Sequence, residues 1–121
     1  NLHEPTLGKD EIDILKKCIN SGFVSSAGSF VDKFENKIAK ITKSNFAVAV
    51  VNGTAALEVA LRVCGVKPSD EVLLPSITFV ATANAVSFVN AVPHFIDSDL
   101  ENLGICLDSL ELHLKKISKF I

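Results

Sequence analysis

The chain has no methionine, not even at its first position, so a sequence beginning at Asn1 reads as a segment of a longer product or as a processed one. It also lacks an apolar run long enough to span a membrane and any recognisable targeting segment. A strong excess of either charge is missing too. Twelve basic residues against fourteen acidic ones leave a formal charge of −2, with no bias toward nucleic acid. The three cysteines, Cys18, Cys64 and Cys106, are odd in number and far apart. Neither a disulfide framework nor a zinc-binding spacing emerges from them, and a reducing cytoplasm is the expected compartment. The phosphate-loop patterns G-x-G-x-x-G and G-x-x-x-x-G-K-[ST] do not occur, so neither a classical dinucleotide site nor a nucleoside triphosphatase is supported. What remains is 121 residues of 48% apolar composition, the size and make-up of one globular domain.

Residues 46–65, FAVAVVNGTAALEVALRVCG, carry the most information. The apolar run Phe46 to Val51 stops at Asn52-Gly53-Thr54, and Leu57, Leu61 and Cys64 follow at helical spacing. This pattern predicts a buried strand, a tight turn and a helix. The first amides of a helix have no partners inside it and carry the positive end of its dipole. With Gly53 letting a ligand approach the backbone and Thr54 adding a hydroxyl, the junction has the makings of a phosphate cradle. A plain helix cap by Asn52 or Thr54, with no ligand, explains the same residues. Asn-Gly as a hairpin turn, and the triplet as a glycosylation acceptor at a poorly accessible junction, are the weaker readings.

Elsewhere the periodicity predicts a helix after Gly8 with Ile12, Leu15 and Ile19 on one face, closed by Gly22. A loop of small residues leads to Gly28, and a second helix carries Val31, Phe34, Ile38 and Ile41 in register. Beyond the loop Gly65 to Asp70, a short strand from Glu71 to Leu74 ends at Pro75. A helix from Thr78, a third strand from Val92 to Ile96 and a last helix from Asp108 to Ile117 complete the chain. The alternation of strand and helix from Phe46 onward implies a parallel sheet flanked by helices, with ligands beyond the carboxyl ends of the strands. The second junction, Ser76 to Phe79, therefore joins Asn52–Thr54 as a place to look. There Phe79 either stacks on a planar ring or is simply core.

Other candidates are weaker. His3, His94 and His113 have no metal-like spacing with any cysteine or carboxylate and read as surface or packing residues. Asp97 and Asp99 fit a paired-carboxylate site or a polar loop equally well. Ser25 and Ser26 have no identifiable base, so nucleophilic catalysis is not indicated.

Five strings coincide in order and spacing. They are His3-Glu4-Pro5, the segment from Val24 to Glu35 (VSSAGSFVDKFE), Asn52-Gly53-Thr54-Ala55-Ala56-Leu57, Asp70-Glu71-Val72, and Pro75 to Ala85 (PSITFVATANA). Together they resemble the amino-terminal part of the DegT-type sugar aminotransferases, which use pyridoxal 5'-phosphate (PLP) to make amino sugars for bacterial surface polysaccharides. The resemblance implies an α/β fold of the aspartate-aminotransferase type (fold type I), with a mostly parallel sheet and flanking helices. On that basis residues 1–121 are the N-terminal segment of the large PLP-binding domain. Residues 1–45 hold N-terminal helices and a substrate-side loop, residues 46–121 form a βαβαβα unit, and the remainder of the domain is absent. It further implies that Gly53 and Thr54 bind the cofactor phosphate, that Phe79 stacks on its pyridine ring, and that the loop of Ser25, Ser26 and Gly28 lies near the sugar nucleotide. The implied reaction moves an amino group, with glutamate as donor, onto a keto-sugar nucleotide in a cytoplasmic homodimer that binds no nucleic acid and no membrane.

One departure qualifies that picture. The family's Schiff-base lysine, the aspartate facing the pyridine nitrogen and a His or Gln over the ring have no match here. Lys115, Lys116 and Lys119 belong to a predicted terminal helix and its tail. No catalytic residue is therefore expected in this chain, and no metal ligand. A non-catalytic phosphate- or PLP-binding α/β module, or an inactive truncated product, is the alternative.

Overall fold

The structure is a computed structural model and describes residues 3–117, so Lys119 lies outside the described residues. The chain divides into two compact units, Asn1–Ala49 and Val50–Ile121.

The first unit contains α1 (Lys9–Asn20) and α2 (Ser29–Thr42). Helix α1 begins where the Gly8 amide donates to the Glu11 carboxylate at 2.7 Å, which satisfies one of the orphan donors of a helix start. Helix α2 begins at Gly28, where φ is 134°, and ends at Lys43 in the left-handed region. A Cβ on Gly28 would meet the Phe23 Cβ at 2.9 Å, so both backbone angle and space require glycine there. Neither helix buries a residue. Ile12, Leu15, Ile19, Phe34 and Ile41 form the apolar faces expected from their spacing, and all five are exposed.

The second unit holds α3 (Gly53–Val63), β1 (Glu71–Pro75), α4 (Val80–Phe88), β2 (Val92–Ile96) and α5 (Leu107–Ile117). β1 and β2 pair in parallel from Glu71 opposite Val92 to Pro75 opposite Ile96. Helix α4 is their crossover, as parallel pairing demands. Val72 and Leu74 point toward α4 and pack with Val86, Val89 and Ala91, against which Leu61, Val66 and Ala83 also lie. Helix α4 touches both strands and α3. That double contact explains why it is short-chained and apolar nearly all round rather than amphipathic. Arg62 ties the end of α3 to α4 by pairing with Glu58 at 2.9 Å and donating to the Phe88 carbonyl at 3.4 Å. Among the described residues no helix is long and apolar enough to cross a membrane.

The expected first strand is not formed. Residues 46–51 form no regular element and pair with no strand among the described residues. Phe46, Val48 and Val51 are 87%, 81% and 89% exposed. A strand is stabilised by hydrogen bonds to a neighbour, and the Ala49 amide instead donates to the Glu35 carboxylate at 2.7 Å. The apolar run identified a segment suited to burial on both faces, but that burial is not supplied here. The sheet accordingly has two strands rather than three.

Two predictions follow from this packing. Leu74→Ala should cost about 2–5 kcal/mol in denaturant unfolding of the intact protein. Leu100→Ala, at a residue 95% exposed, should stay within about 0.5 kcal/mol. The Glu11 carboxyl is held below the ordinary carboxylate range, chiefly by its own backbone N–H and then by that of Gly8. The stabilisation is therefore complete above the unfolded pKa, about 4.3, and is lost as pH falls through the lower folded value. The Gly8 amide resonance should report that acidic titration, and Glu11→Gln should abolish it.

Candidate cofactor-phosphate cleft

Asn52 is extended, and its side-chain oxygen accepts from the Ala55 amide at 2.9 Å. The Ala56 amide donates to the Asn52 carbonyl at 3.1 Å. The cap foreseen for Asn52 is thus present, but it satisfies only part of the helix start. Among the described residues, nothing accepts from the Gly53 or Thr54 amides or engages the Thr54 hydroxyl. Two N–H groups and one hydroxyl remain at the positive end of an eleven-residue helix. The helix that follows Asn52-Gly53 rules out the hairpin reading. Asn52 itself is exposed rather than poorly accessible.

These groups open onto a cleft of about 690 Å³ lined by Gly53, Thr54, Leu57, Phe79, Ala81 and Thr82, among others. The structure therefore brings together Gly53, Thr54 and Phe79, although Thr54 and Phe79 stand 25 positions apart in the chain. Packing of α3 on α4 achieves this, because the starts of both helices line the same cleft. Phe79 immediately precedes α4, and its carbonyl receives the Thr82 amide at 2.9 Å. Its ring is 78% exposed, so it is not a core residue here. Thr78 and Thr82 share a hydroxyl hydrogen bond at 3.0 Å. Below them, Ser98 Oγ accepts from the Ile77 amide at 3.1 Å and meets Ser76 Oγ at 3.2 Å, joining the loops that leave β1 and β2.

Gly53 gives the most telling detail. A Cβ there would meet nothing within 4 Å, and its φ lies outside the left-handed region. Gly22, Gly28 and Gly65 have a positive φ, whereas a Cβ on Gly8 or Gly104 would meet only the end of a flexible side chain. Neither strain nor crowding within the chain requires glycine at 53, even though glycine is a poor helix former.

Ser25, Ser26 and Gly28 lie on the loop between α1 and α2, in the first unit. Both serines are exposed, and their hydroxyls have no hydrogen-bond partner among the described residues. Gly28 is explained by its backbone angle and by Phe23. Asp97 and Asp99 behave as a polar loop. Asp97 accepts from the Ser98 amide at 2.9 Å, and Asp99 from Glu101 and Asn102 at 2.9 and 3.0 Å. A cleft of about 240 Å³ beside Asp32, Glu35 and Asn36 lies in the first unit, and the Glu35 carboxylate is already committed to the Ala49 amide.

One cluster escaped the sequence reading. Glu71 on β1, His94 on β2 and His113 on α5 present ligand-type atoms that all lie within 4.8 Å of one another. Linear spacing concealed it, because a strand register and a helix contact bring together residues from three elements. Alternation along the paired strands offered one signal. With Glu71 opposite Val92 and Leu73 opposite His94, Glu71 and His94 share a face.

Residues 5–121 match the family described as DegT/DnrJ/EryC1/StrS aminotransferases. The GDP-perosamine synthase of Escherichia coli O157:H7 is 35% identical over 120 residues, which are 99% of this chain and 33% of that protein. The chain thus spans about a third of the length of this curated relative. An aminotransferase structure from Psychrobacter cryohalolentis superposes with a TM-score of 0.82 at 31% identity, over 89% of this chain and 28% of that one. A Streptococcus pneumoniae protein described as a sugar aminotransferase, solved in its PLP form, gives 0.80 at 30% identity over 89% and 27%. The α/β fold expected from the resemblance, that of the fold type I enzymes, is confirmed.

The cap at Asn52 carries its own prediction. Asn52→Ala should lower unfolding stability by about 0.5–2 kcal/mol, and Asn52→Asp should retain most of it, as read from denaturant midpoints.

Proposed function

Because this chain belongs to the DegT/DnrJ/EryC1/StrS aminotransferase family, we propose that residues 1–121 are the N-terminal segment of the large domain of a PLP-dependent sugar aminotransferase. Residues 1–45 supply N-terminal helices and the substrate-side loop, and residues 46–121 supply the cofactor side. The exposed apolar run at 46–51 and the exposed faces of α1 and α2 support this division of labour, since they suit a larger domain that covers them. In the intact enzyme an amino group passes from a donor, glutamate, to a keto-sugar nucleotide. Likeness to a GDP-perosamine synthase makes a guanosine-diphosphate-linked keto sugar the first acceptor to try. A cytoplasmic homodimer completes the reading, and the free thiols of Cys18, Cys64 and Cys106 are in keeping with a reducing compartment.

The observation that carries the proposal is the pair of free amides at Gly53 and Thr54, facing a cleft whose other wall holds Phe79. The residues fit the cofactor. Two N–H groups and the Thr54 hydroxyl are donors suited to a phosphate, and Gly53 leaves the approach open. Hydrogen bonds to a charged acceptor contribute roughly 1.5–3 kcal/mol each, against about 0.3–2 kcal/mol for the helix dipole. An aromatic face adds about 0.5–1.5 kcal/mol beyond burial. The phosphate contacts therefore dominate retention, and Phe79 mainly orients the ring.

When bound, the cofactor supplies the electron sink that amino-group transfer requires. This chain's residues hold and orient it. Asn52 keeps the helix start ordered by taking the Ala55 amide, which leaves the two preceding amides for the ligand. Thr82 narrows the cleft beside Phe79. Ser25 and Ser26 offer free hydroxyls for the sugar nucleotide, with Gly28 setting the loop's path. The lysine that holds the cofactor covalently lies elsewhere in the intact enzyme on this reading.

The test is retention of PLP absorbance by the intact enzyme after gel filtration. Gly53→Val combined with Thr54→Val should weaken PLP binding about ten- to a hundredfold. Phe79→Ala should weaken it about two- to tenfold. Undiminished retention in the double variant would remove the basis of the proposal.

A further inference from the structure

The Glu71, His94 and His113 cluster stands apart from the cofactor cleft and plays no part in the function proposed above. His94 Nδ1 lies 3.6 Å from Glu71 Oε2, too long for a hydrogen bond and within ion-pair range. The imidazole rings of His94 and His113 have centroids 4.0 Å apart, tilted by 42°. His113 Nε2 is buried and has no hydrogen-bond partner among the described residues. A buried nitrogen without a partner carries a desolvation cost that a bound cation relieves. A cleft of about 220 Å³, lined by His94, Asp97, Ser109, His113 and Lys116 among others, adjoins the rings and leaves room for a water as an additional ligand. The charges of Asp97 and Lys116 at this cleft offset each other, so the Glu71 carboxylate sets the local balance.

We propose that Glu71, His94 and His113 form a divalent transition-metal site, with zinc the preferred ion, that staples α5 to the outer face of the β1–β2 pair. Two imidazole nitrogens and one carboxylate oxygen are a ligand set that zinc takes readily, with a water in the fourth position. Imidazole favours zinc and its neighbours in the transition series over calcium or magnesium, which prefer all-oxygen sites. Bonds of about 2.0–2.2 Å require the ligand atoms to converge from their present separations. Side-chain rotation supplies this, since Glu71 is exposed and the two histidines are only partly buried. The three ligands come from β1, β2 and α5, so the ion ties together segments 42 residues apart in the chain. Sequence distance of this kind is where a cross-link most restricts the unfolded chain.

The experiment uses the intact protein, stripped with EDTA and titrated with zinc chloride in equilibrium dialysis. One equivalent per chain should bind. Imidazole resonances of His94 and His113 should shift on zinc addition while those of exposed His3 stay in place, a readout that needs no variant. His94→Gln, His113→Gln and Glu71→Gln should each weaken zinc binding about tenfold or more, and His3→Gln should leave it unchanged. Cobalt substitution should give a tetrahedral nitrogen–oxygen spectrum without thiolate charge-transfer absorption, which excludes the cysteines as ligands. Zinc should raise the unfolding temperature of the parent protein and not that of the His94→Gln, His113→Gln double variant. Binding of less than one equivalent, zinc-induced shifts confined to His3, or unchanged uptake in both histidine variants would overturn the proposal.

Discussion

Lodging α4 between the β1–β2 pair and α3 is the constraint on which the second unit depends. The crossover must pass over the sheet for β1 and β2 to run parallel. Burial of Leu74, Val86 and Val89 at 2–4% exposure then holds the helix down. Each such side chain contributes roughly 1.5–3 kcal/mol. Small residues along α4 allow α3 to lie against its other side, and the starts of the two helices meet at one cleft. A bulkier α4 would separate Thr54 from Phe79 without altering either residue.

Within that frame, the head of α3 commits only part of its polar groups to structure. A helix start has more donors than its own carbonyls can use. Asn52 takes one with its side chain and another with its carbonyl, enough to define the first turn. The two left over belong to Gly53 and Thr54, and neither φ nor a neighbouring atom requires glycine at the first of them. A cap accounts for Asn52, and nothing within the described residues requires glycine at position 53.

Much apolar surface stays uncovered. Among the described residues, all six buried hydrophobic ones lie in the second unit, and the amphipathic faces of α1 and α2 are exposed. Two parallel strands are also few, because parallel sheets are ordinarily buried on both faces and include more members. The limited coverage of relatives, about a third of their length, agrees with these open faces and edges.

Local periodicity and capping chemistry made most of the elements legible in the sequence. Five helices and the strands at Glu71–Pro75 and Val92–Ile96 stand within a residue or two of their expected positions, because apolar spacing and Gly or Pro punctuation act over short range. The junction at Asn52–Thr54 was legible for the same reason, since capping concerns neighbouring residues. Tertiary structure decided everything that depends on partners distant in the chain. The run at 46–51 is as apolar as a central strand, yet forms none because no neighbour supplies its hydrogen bonds. Phe79 faces the cleft because helix packing leaves its ring uncovered, which composition alone does not reveal. The Glu71, His94 and His113 cluster exists only through strand register and the contact of α5, as convergence in space leaves little trace in linear spacing.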